Sequence, residues 1–492
     1  MKRLRSIGLL FTWLGLGLLI PWLVMGWPGP FLERLWAWGV AHLPGALREG
    51  LQPGWMHVLV FTAIAWPAGW LLRRAWPRLG AGLAWLLTAL AYGLVYKAAC
   101  FLPDITAYPF SLSWSEASRY YYASLYLAER LYGQAAPTSI LHPSRYLMQA
   151  IPFLVPGLPL WLHRAWQVLL WLSTSGLAGW LVARRAAKNQ SRPVQLALGA
   201  AAVLFLFQGP VYYHLLAMVI LVLWAFNRRR PWRTLGVVLL ASLWAGISRV
   251  NWLPAPGLLA AALYFLETPF LAGSEYEEIR EKKRLKPLLQ GTTRYLLPPA
   301  AWTVLGSLAA WGSQQAYQAI SGNPASYFGS SFSSDLLWYR LLPNPTYPLG
   351  ILPSALLVSL PVLGLLAIRL YGARGSIHPL RWLGLGAILG VLFAGGVVVS
   401  VKIGGGSNLH NLDAYLVLLL VIGSYGLFGL TPETAAGDLE KVAESGGKWG
   451  KRMFRGALGL AAAIPLAFAL SAGGVWPQRD AQAAIADLEI LR

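Results

Sequence analysis

Residues 108–130 read YPFSLSWSEASRYYYASLYLAER, and they break the character of the chain around them. Two glutamates, two arginines and five tyrosines crowd in just after an apolar run at 79–101. The contrast decides the fold, because almost everything outside such islands is apolar. The 492 residues are 57% hydrophobic and 12% charged, with a mean hydropathy of +0.52. A soluble chain carries about twice that share of charge, roughly 25%. The apolar runs of roughly 18 to 25 residues are each long enough to cross a hydrocarbon core of about 30 Å. The fold class expected is an all-α polytopic integral membrane protein, a single transmembrane domain over 1–492.

Thirteen spans are predicted, at 7–26, 55–72, 79–101, 159–183, 193–209, 211–227, 234–251, 253–269, 294–313, 348–370, 382–402, 412–430 and 456–473. The net charge of +21 would suit a nucleic-acid binder, but its distribution points elsewhere. Of the 40 Lys and Arg, 28 fall at 1–6, 73–78, 184–192, 228–233, 280–294, 369–381 and 441–455. Loops rich in Lys and Arg stay in the cytoplasm. The basic charge is thus a topology signal, and no nucleic-acid partner is expected. The apolar run after MKRLRS is too long for a signal-peptide core and lacks a small-residue cleavage site, so it reads as the first span. An odd number of spans places the N-terminus in the cytoplasm and the C-terminus outside.

The external segments expected are 27–54, 102–158 and 314–347, and a charged cytoplasmic loop is expected at 270–293. Its SEYEEIREKKRLK run at 274–286 reads as a solvated linker or short helix. GLGAILG at 384–390 sits inside a span, where small residues allow close helix packing. Cys100 is the only cysteine, so no intrachain disulfide can form. No P-loop, CxxC, HExxH or GxSxG pattern occurs, which removes support for nucleotide hydrolysis and for common zinc or serine hydrolase chemistry.

Ser113 and Glu116 fit the S-x-x-E capping box, which predicts an amphipathic juxtamembrane helix over about 114–132. Glu116, Tyr120 and Ser124 share one face, with Arg119 close to that stripe, while Tyr121, Tyr122 and Leu125 point towards lipid or protein. Tyrosine suits a membrane interface because its ring is apolar and its hydroxyl stays wet. These residues alone fit either an anchoring helix or a site.

The order of features over 104–172 resembles the GT-C superfamily of membrane glycosyltransferases, especially its protein O-mannosyltransferase-like and aminoarabinose-transferase-like branches. In that family the first large external loop carries an acidic pair, then a tyrosine-bearing surface helix. A KPPL element follows, then an arginine that opens the next span. Here Glu116 matches the second acid and Tyr120 the tyrosine. His142-Pro143 stands where KPP would be, and Arg164 matches the later arginine. Ser115 replaces the first acid, so the base would be Glu116 alone or Glu116 with Asp104.

The resemblance implies a GT-C-like fold and an external active site. There a sugar would pass from a polyprenyl-phosphate-linked donor to an acceptor glycan, lipid or protein. An external carboxylate would take the acceptor proton. Arginines, with their forked donors, suit the phosphate leaving group. Some members use a divalent cation, which Asp104 and Glu116 could hold. The bilayer itself is the remaining partner.

Four other polar places stand out. Arg249 and Asn251 sit at the expected outer end of a span, where an arginine is costly unless paired or facing a cavity; the alternative is snorkelling towards headgroups. VSVKIGGGSNLHNLDAY at 399–415 offers Lys402, Asn408 and His410 around a triple glycine, a pattern suited to phosphate or sugar, or to a turn with polar caps. Asp335 and Arg340 could line an acceptor cleft or cap a helix. Tyr212, Tyr213 and His214 read as structural. A lipid or glycan transporter, or a GT-C-like scaffold without catalysis, remains the competing reading. Transporters place ionisable groups near the bilayer midplane, whereas here the unusual polar residues gather towards one side.

Overall fold

The structure, a computed structural model, describes residues 2–44, 54–113, 115–270, 285–329, 335–372, 378–402, 408–428 and 447–490. Among the described residues there are helices and turns but no strand, only an isolated bridge between Asn344 and Tyr347. The first half of the chain forms α1 (Lys2–Met25), α2 (Gly29–Ala41), α3 (Gly54–Ala75), α4 (Ala81–Ala99), α5 (Glu116–Ser124), α6 (Ala128–Tyr132), α7 (Pro143–Ala150), α8 (Leu160–Ala186) and α9 (Arg192–Gln208). The second half forms α10 (Tyr213–Ala225), α11 (Pro231–Gly246), α12 (Ala255–Glu267), α13 (Leu285–Ile320), α14 (Ile351–Gly372), α15 (Pro379–Lys402), α16 (Asp413–Phe428), α17 (Gly447–Ser471) and α18 (Ala481–Ile490).

A helix occupies each of the thirteen segments expected to span. Eight of these segments, those of α1, α3, α4, α8, α14, α15, α16 and α17, are long and apolar enough to cross a membrane. By contrast, α10 and α12 have 13 residues each, and 1.5 Å per residue makes them roughly 20 Å long. Both are largely buried inside the protein, as is α16, in which every residue from Asp413 to Gly426 is buried. A helix that is apolar all round belongs in a core, and α16 is the central element of this one. Close approach needs glycine at two crossings. A Cβ on Gly257 of α12 would lie 2.6 Å from the Thr303 Cα of α13, and one on Gly384 of α15 would lie 2.6 Å from the Phe265 ring. A second apolar cluster joins α1, α3 and α4 through Tyr92 and Tyr96, and α17 packs across α4, α9 and α14.

The end expected to be cytoplasmic is held by arginines on helix C-termini. Arg185 donates to the Leu223 carbonyl at 2.7 Å, and Arg381 to Phe265 and Leu266 at 2.7 and 2.9 Å. Arg228 reaches the Glu267 carbonyl, and Arg369 that of Leu427. The last carbonyls of a helix lack intrahelical donors and carry partial negative charge, so cations belong there.

Several expectations need correction. The surface helix is not continuous over 114–132: a tight turn at Leu125–Leu127 separates α5 from α6, and Gly133, at φ 72°, ends α6. The capping box does not form. Ser115 is the N-cap, and the Glu116 carboxylate turns back to accept the Leu112 N–H at 2.6 Å. The expected span 234–251 stops at Gly246, so Arg249 and Asn251 lie in or beside a tight turn at Val250–Trp252. The charged loop expected at 270–293 becomes helical from Leu285, and the loop expected from 314 begins only after Ile320. Residues 271–284, and with them most of the 274–286 run, lie outside the described residues, as do 403–407 with the triple glycine.

Candidate functional site

Arg164 is the organising residue of the first external region. It sits near the start of α8, and five acceptors meet its five N–H donors. Its Nε and Nη2 each reach a Glu116 carboxylate oxygen at 3.0 Å. Nη1 reaches the carbonyls of Thr106 and Tyr108, both at 2.7 Å, and Nη2 also reaches Phe110 at 3.0 Å. Forked pairing of this kind is the strong form of an ion pair. The two side chains are 2% and 6% exposed, so the pair also pins the 106–116 segment onto α8.

Asp104 closes the turn Leu102–Asp104 and lies within electrostatic reach of Arg479, Glu116, Arg164 and Arg119. It lines a small cavity of about 190 Å³ together with Cys100, Gly473 and Arg479. A divalent cation shared by Asp104 and Glu116 does not fit, because Arg164 already neutralises Glu116 through both carboxylate oxygens. Among the described residues no group of three or more His, Cys, Asp or Glu gathers to hold a metal ion.

On α5, Arg119 directs Nε and Nη2 at the Ser115 hydroxyl, at 3.0 and 2.7 Å. The residue that stands in place of an acid is therefore Arg119's hydrogen-bond acceptor, and Asp104 is an acid within electrostatic reach of the guanidinium. Arg145, on α7, is 7% exposed and its Nε–H has no acceptor. Its guanidinium lies over the Tyr212 ring at 4.6 Å and beside the Tyr213 hydroxyl. Burial, and then the charge of Arg145, push Arg119 below the usual guanidinium range. Among the described residues neither arginine forms an ion pair. A guanidinium removed from water without an ion pair, as Arg145 is, is costly, and an anion held by it and the half-buried Arg119 would relieve that cost.

His142 continues the group. It precedes Pro143 in the left-handed region at φ 53°, the one non-glycine with positive φ among the described residues. Such a conformation is sparsely populated for a side-chain-bearing residue. The tertiary contacts hold it there: its Nδ1 lies 3.2 Å from the Ser248 carbonyl, Ser144 N–H reaches Ile247 at 2.9 Å, and the Ser144 and Ser248 hydroxyls meet at 2.6 Å. The His142 ring is 6.2 Å from that of His214, whose two nitrogens have no partner. Burial, and then the charges of Arg249 and Arg145, lower the His142 pKa to about 3.

Arg249 and Asn251 meet the 408–413 segment. Arg249 Nη1 reaches Asp413 Oδ2 and the His410 carbonyl, each at 2.9 Å, and Nη2 reaches Asn411 Oδ1 at 2.7 Å. Asn251 Nδ2 and Trp252 Nε1 reach Asp413 Oδ1 at 3.1 and 2.7 Å. The Arg249 and Asp413 side chains are 7% and 0% exposed. Here charge is matched and hydrogen bonding nearly complete, so this group fixes the start of α16. Asn408 holds His410 through both the backbone N–H and the ring, and the His410 ring stands edge-on to Tyr212 at 6.4 Å.

The structure thus brings Glu116, Arg164, Asp104 and Arg119 together on one side, and His142, Arg249, Asn251, Asn408 and His410 on the other, with Arg145 within electrostatic reach of Arg119, His142 and His410. The Tyr120 ring packs edge-on to His163 at 6.0 Å, and burial together with Glu116 pushes its hydroxyl pKa up. Lys402 ends α15, where the Val401 carbonyl accepts the Leu337 N–H. Asp335 is exposed and makes no hydrogen bond or ion pair among the described residues. Beside the cationic group, an apolar pocket of about 460 Å³ runs along α10 and α11 from Met148 of α7, past Trp244 and Ile247, to Leu221 and Leu240.

Arg145, Asp413, Asn411, Trp252 and Ser248 were not among the sequence candidates. Asn411 and Asp413 did lie in the polar stretch 399–415 that the sequence marked, and Arg145 lies two residues after Pro143 in an external segment. Compared with known proteins, the chain matches no family model, no curated protein and no solved structure.

Proposed function

We propose that this protein is a membrane glycosyltransferase of GT-C type. It crosses the bilayer thirteen times with its N-terminus in the cytoplasm and its C-terminus outside. It transfers a sugar from a polyprenyl-phosphate-linked donor to an acceptor on the external face. One observation carries the reading: Arg145 is buried without an ion pair, with the half-buried Arg119 within electrostatic reach of it, and an apolar pocket begins one helical turn away. A lipid phosphate supplies both complements, an anion for the arginines and a hydrocarbon tail for the pocket. Met148 lines that pocket one helical turn beyond Arg145, so head and tail of one lipid fit side by side.

The short helices α10, α11 and α12 support the topology. α10 packs on α7, and α11 and α12 pack on the Val250–Trp252 turn, so protein rather than lipid surrounds the backbone there. Irregular backbone at membrane depth is tolerated under that condition. Glu116 then acts mainly by holding the 106–116 segment, and Arg119 with it, in place.

The test is transfer of a radiolabelled sugar from polyprenyl-phosphate donors by the purified protein in lipid nanodiscs, with polyprenyl phosphate binding followed by native mass spectrometry. Binding and transfer that are lost in R145Q and R119Q support the reading. A wild-type protein that instead moves the intact lipid-linked sugar between leaflets, without transfer, would replace it with the transporter reading.

A further inference from the structure

We propose that His142 is the proton acceptor of this site: its Nε2 takes the proton lost by the acceptor hydroxyl. In that step the hydroxyl oxygen forms a bond to the sugar's anomeric carbon, the bond from that carbon to the phosphate oxygen breaks, and its electron pair leaves on the phosphate. The proposal rests on the glycosyl-transfer reading above and names the group that completes it.

The geometry supports it in three ways. First, Nδ1 faces the Ser248 carbonyl at 3.2 Å, and a carbonyl only accepts. The proton of the neutral ring therefore sits on Nδ1, and Nε2 carries the free lone pair. Nε2 has no hydrogen-bond partner among the described residues. Second, the ring is held in a backbone conformation that local preference opposes. Such conformations persist only where surrounding contacts impose them, and they cluster at functional sites. Third, the groups facing the ring are Arg145 on its own helix, Arg249, His410, and His214 at 6.2 Å. The charges of Arg249 and Arg145 favour the neutral imidazole, which is the form a base needs.

The charge change of the reaction then drives the transfer. A phosphodiester donor carries one negative charge, and the lipid phosphate it becomes carries up to two. A proton arriving on His142 places the new positive charge beside the group that has just gained a negative one.

The released lipid phosphate should therefore bind together with a proton. The experiment is titration calorimetry of polyprenyl phosphate into the nanodisc protein in two buffers of different ionisation enthalpy. It is run at about pH 7.5, where a phosphomonoester with a second pKa near 6 is largely dianionic. Wild-type protein is expected to take up more protons on binding than His142→Gln does. His142→Asn, which tolerates a left-handed backbone, replaces the glutamine variant should that fail to fold. Equal proton uptake by wild type and variant would overturn the assignment of His142 and leave the glycosyltransferase reading standing. No binding by the wild type would overturn both.

Discussion

Arg164 and Glu116 lie 48 positions apart and form a forked ion pair with both contacts at 3.0 Å, almost fully removed from water. Removing one partner leaves a buried charge, which costs about 3–5 kcal/mol, whereas removing both costs far less. Glu116→Gln and Arg164→Met should each lower the melting temperature in detergent strongly, and the double variant should recover much of the loss. Scanning fluorimetry of the four proteins checks this. A double variant no better than the worse single one would contradict it.

Arg145 should behave in the opposite way. Its charge is buried without a counter-ion, so Arg145→Met removes an unfavourable term while keeping most of the volume. The expected result is unchanged or higher stability, by up to about 1–3 kcal/mol, with loss of lipid-phosphate binding. A marked fall in melting temperature would mean that the guanidinium has a structural partner.

Asp413 ties the Arg249 guanidinium and the Trp252 indole to the start of α16. Asp413→Asn keeps the shape but removes the charge opposite Arg249, and about 3–5 kcal/mol of stability should go with it. Trp252→Phe, which loses one hydrogen bond and leaves an acceptor less satisfied, should cost about 1–3 kcal/mol. Comparing the two in denaturation experiments separates the charge from the hydrogen bond.

His142 gives a pH signature of its own. Its folded pKa lies at about 3, against about 6.5 in an unfolded chain. As pH falls through that interval the unfolded state takes up the proton first, so the contribution of His142 to stability is lost towards acid. His142→Gln should therefore flatten the decline in melting temperature between neutral and mildly acidic pH. Parallel declines in the two proteins would count against a neutral ring.

Gly384 and Gly386 stand two residues apart on α15 but differ in their surroundings. A Cβ at 384 would meet the Phe265 ring at 2.6 Å, while one at 386 meets nothing within 4 Å. Gly384→Ala should destabilise by about 1–3 kcal/mol through overpacking, and Gly386→Ala should be neutral or slightly stabilising. Melting temperatures of the two variants decide it.

By itself the sequence determined where helices form, because a backbone segment in lipid must satisfy its own hydrogen bonds and bury apolar side chains on contiguous residues. Both requirements are local, so thirteen apolar runs read along the chain found helices in the structure. It also marked the islands of polar residues, at 108–130, 249–251 and 402–413, whose cost in such a chain calls for partners. Only the tertiary structure decided what those partners are. In the sequence Glu116 read as a capping-box carboxylate and candidate base at a helix start, and it proved to be held by an arginine 48 positions on. Arg249 and Asp413, 164 positions apart, neutralise each other, while Arg119 and Arg145 neighbour one another and neither forms an ion pair among the described residues. Ion pairing depends on which helix ends converge, and side-chain packing between helices sets that convergence. No spacing along the chain records it.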